Sequence, residues 1–344
     1  MESQSDEPDL PAGWGNAQRA FLQALMGRGT LTAREAKSIL AAIQGSGASA
    51  RDITDDQVRQ FISQAREAVA PLDYDIRSTV HQTTRQQVWA LINAHSDPST
   101  QLATSRNPEE IAFIKRLLDA MFDTCNTPRR EIMAVTAAQA RKVARPPAQP
   151  HRFNNNYNNN DNHNHNAGED ADGAARQKQT AAVPVDKGLK HSEVEKLLPS
   201  LVDEGWLELS DEGFYSLSPR ALMELKPWLL ETYNEPDATP EDWQRIKFCE
   251  ACKDIITTGQ RCPSLECNLR LHDMCTEAFW RTRRGGQKVC SKCQTEWNGA
   301  VFVGPRAVTA AAAASARQRT SGGGTSNADS SMMPEQVKGS DEEE

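Results

Sequence analysis

The chain has 344 residues, of which 25% are charged and 6% aromatic, and it carries a formal net charge of −8 at pH 7. That length allows two or three domains of ordinary size, and the acidic balance argues against general polyanion binding while leaving room for local basic patches. The opening MESQSDEPDL has neither the basic nor the apolar segment of a secretory signal, and no run approaches the ~18 apolar residues that cross a bilayer, so no membrane partner is expected and the thiols should meet a reducing compartment where they stay able to bind metal.

Residues 1–13 read as an acidic, disordered leader. Order should begin at Trp14, with Ala17, Phe21, Leu22 and Leu25 on one helical face. Thr32-Ala-Arg-Glu35 has the form of a capping box, with Ala36, Ile39, Leu40 and Ile43 at helical spacing behind it; Thr54-Asp-Asp-Gln57 repeats the device before Val58, Phe61, Ile62 and Ala65. From Tyr74 the period changes to two (Tyr74, Ile76, Ser78, Val80), and Val88–Ile92 can pair with that run as a hairpin. Three helices followed by a hairpin make a winged-helix pattern, assigned here to residues 14–98.

The pattern recurs over 99–234. Asn107-Pro108-Glu-Glu110 starts a helix carrying Ile111, Ile114, Leu118 and Met121; Thr127-Pro128 is expected to open a second, running to about Ala144. Ser192-Glu-Val-Glu195 is expected to cap a third, whose stripe is Val194, Leu197, Leu198, Leu201 and Val202; Pro199 should kink it or tighten its last turn, and Gly205 ends it. Trp206–Leu209 and Phe214–Leu217 flank Ser210-Asp-Glu-Gly213 as a second hairpin. Cys125 sits beside Leu117, Leu118, Met121 and Phe122, as a small buried hydrophobe would. Between the second and third helices, residues 146–186 form an insertion with an Asn-rich centre. Such composition cannot bury a core, so a disordered loop is favoured over a metal site at His163 and His165. The segment 306–344, with its Ala and Gly runs and acidic end, reads as a disordered tail.

Seven of the eight cysteines fall between 249 and 293, where an even spread would place about one. The string is Cys249-x2-Cys252-x9-Cys262-x4-Cys267-x4-His272-x2-Cys275-x14-Cys290-x2-Cys293. Zinc takes four soft or borderline ligands at tetrahedral corners, and a Cys-x2-Cys knuckle delivers two thiolates to one ion. Eight ligands make two zinc sites, although spacing alone does not say which pairs share a metal. An odd cysteine count and the in-phase histidine argue against disulfides. Eight ligands with no open position make the sites structural, and in a short segment poor in large apolar groups the metals should supply most of the folding energy.

This ligand order, four cysteines, a histidine and three cysteines, serves both histone-reading PHD fingers and variant RING fingers. PHD fingers carry a Trp two residues before the seventh ligand; Lys288 stands there. Thr276–Trp280 instead predicts a short helix, with Trp280 where RING fingers place an apolar contact for a ubiquitin-conjugating enzyme. Ile255 and Ile256 can supply the facing part of that groove, or else pack between the zinc loops.

The segment Phe248-Cys-Glu-Ala-Cys252 through Cys290-Ser-Lys-Cys-Gln-Thr-Glu-Trp297, behind tandem winged helices, resembles the non-SMC element 1 family, the RING-like subunit of the complex built on the fifth and sixth SMC proteins. The resemblance spans roughly Trp14 to Pro305 without the insertion. It implies an α+β multidomain chain with tandem winged-helix domains and a cross-braced RING-like finger over 235–305. It also implies interleaved zinc ligation, with Cys249, Cys252, His272 and Cys275 on one ion and Cys262, Cys267, Cys290 and Cys293 on the other. Further implications are a nuclear protein of DNA repair and recombination, MAGE-type and kleisin partners, contact with DNA through the complex, and ubiquitin ligase activity. Such a ligase orients a charged conjugating enzyme and supplies no nucleophile, so no catalytic residue is assigned. Gln294 after the last ligand, the absence of Pro after Cys290, and Ala251 in the first knuckle depart from active RING fingers and imply weak, partner-dependent activity. A scaffold binding DNA or histone tails is the rival. Against direct duplex reading, Ser192–Glu204 carries Glu193, Glu195, Asp203 and Glu204 against Lys196. Arg129, Arg130, Arg141, Lys142 and Arg145, and Arg281, Arg283, Arg284 and Lys288 in the finger, read as solvated basic faces. Trp297 is the residue available to a histone reader.

Overall fold

The structure, a computed structural model, describes residues 10–45, 47–94, 105–147, 186–239, 241–283 and 288–310. The leader to residue 9, the insertion from 148 to 185 with its two histidines, and the tail beyond 310 lie outside those residues.

The first unit begins with α1 (Asn16–Arg28), which buries Phe21 and Leu25. A short strand, β1 (Thr30–Thr32), leads straight into α2 (Ala33–Gln44), because Thr32 both ends the strand and caps the helix: its hydroxyl accepts from the Glu35 N–H while the Glu35 carboxylate accepts from the Thr32 N–H. Thr54 and Gln57 repeat this at the start of α3 (Asp55–Val69). The hairpin β2 (Tyr74–Val80) and β3 (Gln87–Asn93) pairs Tyr74 with Asn93 through Val80 with Gln87, and β1 joins the far edge of β3, giving the order β1-β3-β2. Leu31, Leu40, Ile53, Val58, Ile62, Ile76 and Trp89 close the core with Phe21 and Leu25. The alternating face of β2 is only partly inward: Ile76 is buried, whereas Tyr74 and Val80 are exposed. On this edge strand only the middle of that face meets the helices.

The second unit repeats the order. Its first helix, α4 (Pro108–Asp119), is capped by Asn107 and continues into a wider π-type turn at Ala120–Thr124. The helix expected from Thr127-Pro128 to Ala144 does not form. β4 (Asn126–Thr127) instead turns back on β5 (Arg130–Glu131), with Pro128 in the turn and the Thr127 hydroxyl accepting from the Arg130 N–H. β6 (Val135–Thr136) follows, and only then does α5 (Ala137–Lys142) begin, on a Thr136/Gln139 capping box. Of the expected span only Ala137–Lys142 is α-helical, and Glu131 on β5 is drawn into the finger as described below. The third helix, α6 (His191–Asp203), starts before Ser192: Lys190 occupies the cap position and its N–H donates to the Glu193 carboxylate. The helix continues through Pro199 to Asp203. Gly205, at φ 74, ends it in the left-handed turn that glycine permits, with the Trp206 N–H donating to the Leu201 carbonyl and the Gly205 N–H to the Val202 carbonyl. The hairpin β7 (Leu207–Leu209) and β8 (Phe214–Leu217) turns on Ser210–Gly213, and β6 adds to β8 in the order β6-β8-β7. The two units therefore share one topology. Cys125, expected as a buried small hydrophobe, packs against this core but is only half-buried, its sulfur 3.5 Å from the Gln139 amide nitrogen, and burial raises its thiol pKa.

Two short helices, α7 (Pro219–Glu224) and α8 (Lys226–Tyr233), lead to the last unit. There β9 (Gly259–Arg261) is flanked by β10 (Arg270–Leu271) and β11 (Phe302–Val303), and α9 (Asp273–Arg281) follows β10. Ile246, Ile255, Ile256 and Val303 belong to the same apolar cluster as Phe113, Leu117 and Leu201, so the last unit and the second share a core. The tip of the first hairpin reaches the same seam. The Gln82 amide donates to the Ile255 carbonyl and accepts from the Thr257 and Thr258 N–H groups, while His81 Nε2 lies 3.0 Å from Glu208 on β7.

Candidate metal centre

Two matching knuckles build the site. In the first, the Cys249 N–H donates to the Asp254 carbonyl and the Lys253 N–H returns to the Cys249 carbonyl, closing the turn around Cys252. In the second, the Cys290 N–H donates to the Thr295 carbonyl and the Gln294 N–H to the Cys290 carbonyl. Lys253 (φ 64) and Gln294 (φ 60) both adopt the left-handed conformation that lets each knuckle close. Gln294 thus has a backbone role in this fold. At Gly259 the chain passes so close to β10 that a Cβ would lie 2.3 Å from the Leu271 carbonyl oxygen, and this close passage leads directly to His272.

The eight sequence-predicted ligands fall into two groups of four, Cys249, Cys252, His272 and Cys275, and Cys262, Cys267, Cys290 and Cys293; within each group every ligand atom lies within 4.8 Å of the others. The grouping interleaves along the chain, so each cluster ties together segments the other separates. His272 presents Nδ1 to the first cluster, 3.2 Å from Cys252 Sγ, while Nε2 lies 3.3 Å from the Ile255 carbonyl. A proton on Nε2 donated to that carbonyl leaves the Nδ1 lone pair for a metal. In the second cluster Cys262 and Cys293 sulfurs are 3.4 Å apart and those of Cys267 and Cys290 3.5 Å, non-bonded distances between free cysteines.

The electrostatics of both clusters call for a cation. Burial opposes ionisation of Cys249, yet hydrogen bonding from His272 and the knuckle backbone brings it down to about 6. Its neighbour Cys275 is pushed up by burial and by the charges of Cys249 and Cys252. The second cluster divides likewise: Cys293 falls to about 6 against the opposition of burial, aided by Thr295, whereas burial drives Cys267 up to about 11 and Cys262 higher still. Four thiols this close cannot all ionise without a divalent ion, which removes the mutual repulsion. The donor sets, three thiols with an imidazole and four thiols, suit zinc rather than a hard oxygen-seeking cation.

The three residues expected to meet a conjugating enzyme do not form an exposed groove. Ile255 and Ile256 are 5% and 0% exposed, packed into the core shared with the second unit, and Trp280 is 8% exposed, its ring 5.5 Å from that of Trp297 in a small core with Leu269 and Leu271. Burial between units has claimed the two isoleucines, and the finger's own core has claimed Trp280. Trp297 is itself buried and donates its indole N–H to Gln260, which leaves no open aromatic wall there for a peptide.

Spacing did not reveal a buried charge cluster beside the second metal group. Glu131, from β5 of the second unit, is 2% exposed and accepts two 2.6 Å hydrogen bonds from the Arg270 guanidinium. Arg270 also donates to the carbonyls of Cys267 and Leu269, and Lys247 and Arg261 approach the same carboxylate at 3.1 and 3.3 Å. Burial would raise Glu131, but the Arg270 hydrogen bonds and the three cationic charges override it and hold it at about 2. Burial pushes Lys247 down to about 8, with Glu131 opposing. No periodic or motif signal marks these positions. Of the basic residues read as solvated, Arg283 covers the ring of Phe279 at 4.2 Å and Arg141 pairs with Glu195.

Comparison with known proteins agrees with this architecture. A family model described as the Nse1 non-SMC component of SMC5-6 complex matches residues 18–225, and a RING-like domain model matches residues 249–293. The chain is 21% identical over 284 residues to the Homo sapiens non-structural maintenance of chromosomes element 1 homolog, covering 82% of this chain and 84% of that one. It is 32% identical over 111 residues to the Xenopus tropicalis homolog, covering 32% and 36% respectively. A solved Nse1-Nse3-Nse4 complex contains a chain that superposes with a TM-score of 0.58 at 19% identity, over 84% of this chain and 99% of that one. With the family model covering more than half of its length, the chain belongs to the Nse1 family, the non-SMC component of the SMC5-6 complex.

Proposed function

We propose that this protein is a RING-type ubiquitin ligase subunit of a chromosome-maintenance SMC complex, with the two clusters each holding one structural zinc ion. The observation that carries the reading is the pair of interleaved four-ligand groups braced around a short helix, within a segment that matches a RING-like domain. Zinc would supply rigidity and charge compensation for the thiolates. The chain's own residues would then present a surface on which a conjugating enzyme holds its ubiquitin thioester towards a substrate lysine, a gain that comes from positioning.

In the same reading the two repeated units, residues 14–98 and 99–234, are winged-helix domains, and the finger occupies 235–305. Their helix-strand-helix-helix-hairpin order supports the assignment. The solved relative belongs to an Nse1-Nse3-Nse4 complex, and the corresponding partners here would be a MAGE-type subunit and a kleisin, in the nucleus, in DNA repair and recombination. The test is ubiquitin discharge from a panel of charged conjugating enzymes by the chain co-purified with its MAGE-type partner. Discharge that disappears in Cys290→Ser supports the ligase; no discharge from any enzyme would leave a structural subunit. Burial of Ile255, Ile256 and Trp280 favours that second reading, because a ligase of this type must expose an apolar contact and these three do not provide it.

A further inference from the structure

The buried charges beside the second cluster do not balance among themselves. Lys247, Arg261 and Arg270 surround the single carboxylate of Glu131, leaving two net positive charges in a region where the four side chains are between 0% and 7% exposed. Uncompensated charge at such depth is strongly unfavourable. Arg261 sharpens the problem: its Nη1 donates to the Pro128 carbonyl, but its buried Nε and Nη2 groups have no hydrogen-bond acceptor among the described residues. The missing negative charge is at hand. Arg261 directly precedes Cys262, and Arg270 donates to the Cys267 carbonyl, so two of the three cations adjoin ligands of the all-cysteine group. A divalent ion bound by four thiolates carries two negative charges, equal and opposite to the excess. The same group with neutral thiols carries none. The first cluster, with an imidazole in place of one thiolate, would carry a single negative charge.

We propose that Lys247, Arg261 and Arg270 are the countercharge of a dianionic tetrathiolate metal site at Cys262, Cys267, Cys290 and Cys293, and that Glu131 ties this site to the second unit, so that metal at the second cluster holds the finger in its seat. This rests on the metal-binding reading above and extends it from the ligands to the seam. Glu131 lies on the β4–β5 hairpin, whose partner contacts include Arg261 through Pro128 and the Gly304 N–H through the Glu131 carbonyl. Losing the metal would take the tetrathiolate dianion away from these buried cations, and the way to relieve the charge left unbalanced is to open the seam to water. Metal binding and docking of the finger are then two sides of one equilibrium.

The test uses the full chain loaded with cobalt(II), whose absorption distinguishes a tetrathiolate from a three-thiolate, one-imidazole site, with increasing chelator. Arg261→Met should lose the tetrathiolate signal at about tenfold lower chelator than wild type, the usual scale for outer-sphere changes, while the imidazole-containing site keeps its wild-type midpoint. Arg261→Lys, which keeps the charge, should restore most of the difference. Equal loss from wild type and Arg261→Met, equal weakening of both sites, or a Lys variant as poor as the Met variant overturns the proposal. A second measurement needs no variant: stripping metal from the wild-type chain should raise amide exchange in the 126–131 hairpin, and hairpin protection that survives stripping overturns it as well. A chain that takes up no cobalt at either site would refute the metal reading itself, an outcome distinct from two loaded sites indifferent to Arg261.

Discussion

The repeated units and the finger solve the same problem by opposite means. The first unit closes on Phe21, Leu25, Leu31, Leu40, Ile53, Val58, Ile62, Ile76 and Trp89, each such burial contributing about 1.5–3 kcal/mol. The finger's own apolar cluster amounts to Leu269, Leu271, Trp280 and Trp297 among its cysteines, and its remaining order comes from the two ligand groups and from leaning on the second unit. A fold built on apolar area loses stability in proportion to the side chain trimmed. A fold built on eight ligands and a buried charge cluster should fail in large steps.

The largest step should be metal removal. Structural zinc is worth about 10–16 kcal/mol in small zinc-dependent folds, so exhaustive chelation should abolish the finger's near-ultraviolet dichroism while the far-ultraviolet helical signal of α1 to α6 persists. Loss of both signals together would erase the contrast between the regions. Next in size is Glu131→Ala, which leaves Lys247, Arg261 and Arg270 buried without their carboxylate; breaking a buried ion pair from one side costs about 3–5 kcal/mol, read as a lowered denaturant midpoint. A change below about 1 kcal/mol would mean that water already screens this seam. On the apolar side, Phe113→Ala in the second core should cost about 3–5 kcal/mol without changing metal content, which separates a packing loss from a metal-site loss.

Smaller effects discriminate further. Thr54→Ala removes one capping bond and should cost about 1 kcal/mol, confined to the first unit in hydrogen exchange. The His81–Glu208 contact between the first hairpin and β7 is pH-dependent. The Glu208 hydrogen bond outweighs partial burial and raises the His81 pKa above its ordinary 6.5. The stabilisation is therefore fully present below pH 6.5 and is lost as pH rises through the higher folded-state value. Arg77, Lys226 and Asp254 line the same junction, so salt should weaken the effect. A stability profile of His81→Gln parallel to wild type from pH 5.5 to 8.5 would contradict this assignment.

What could be read in the sequence divides along the same line. Local chemistry was legible: the Thr32–Glu35 and Thr54–Gln57 caps, the Ser210–Gly213 turn, the β2–β3 pairing and the four ligand pairs all rest on residues within a few positions of one another. What escaped depends on partners far along the chain. The Thr127–Ala144 segment opens on a helix-start signal at Thr127-Pro128, but Glu131 within it is held by Arg270, 139 residues away, and no local pattern encodes that contact. Ile255 and Ile256 could be read either as part of a surface groove or as packing between the zinc loops, and it is the core of the second unit that buries them. Trp280 reads as a contact residue by position and is held instead against Trp297. Trp280→Ala is therefore expected to destabilise the finger and is a poor reporter of conjugating-enzyme binding.

The central claim is that two interleaved metal sites make the finger, and native mass spectrometry of the full chain purified without added metal tests it most directly. The account predicts a mass increment of two zinc ions with all seven ligand cysteines reduced, falling to at most one in Cys290→Ser. A metal-free chain that keeps its folded charge-state distribution, or cysteines found as disulfides, would contradict it.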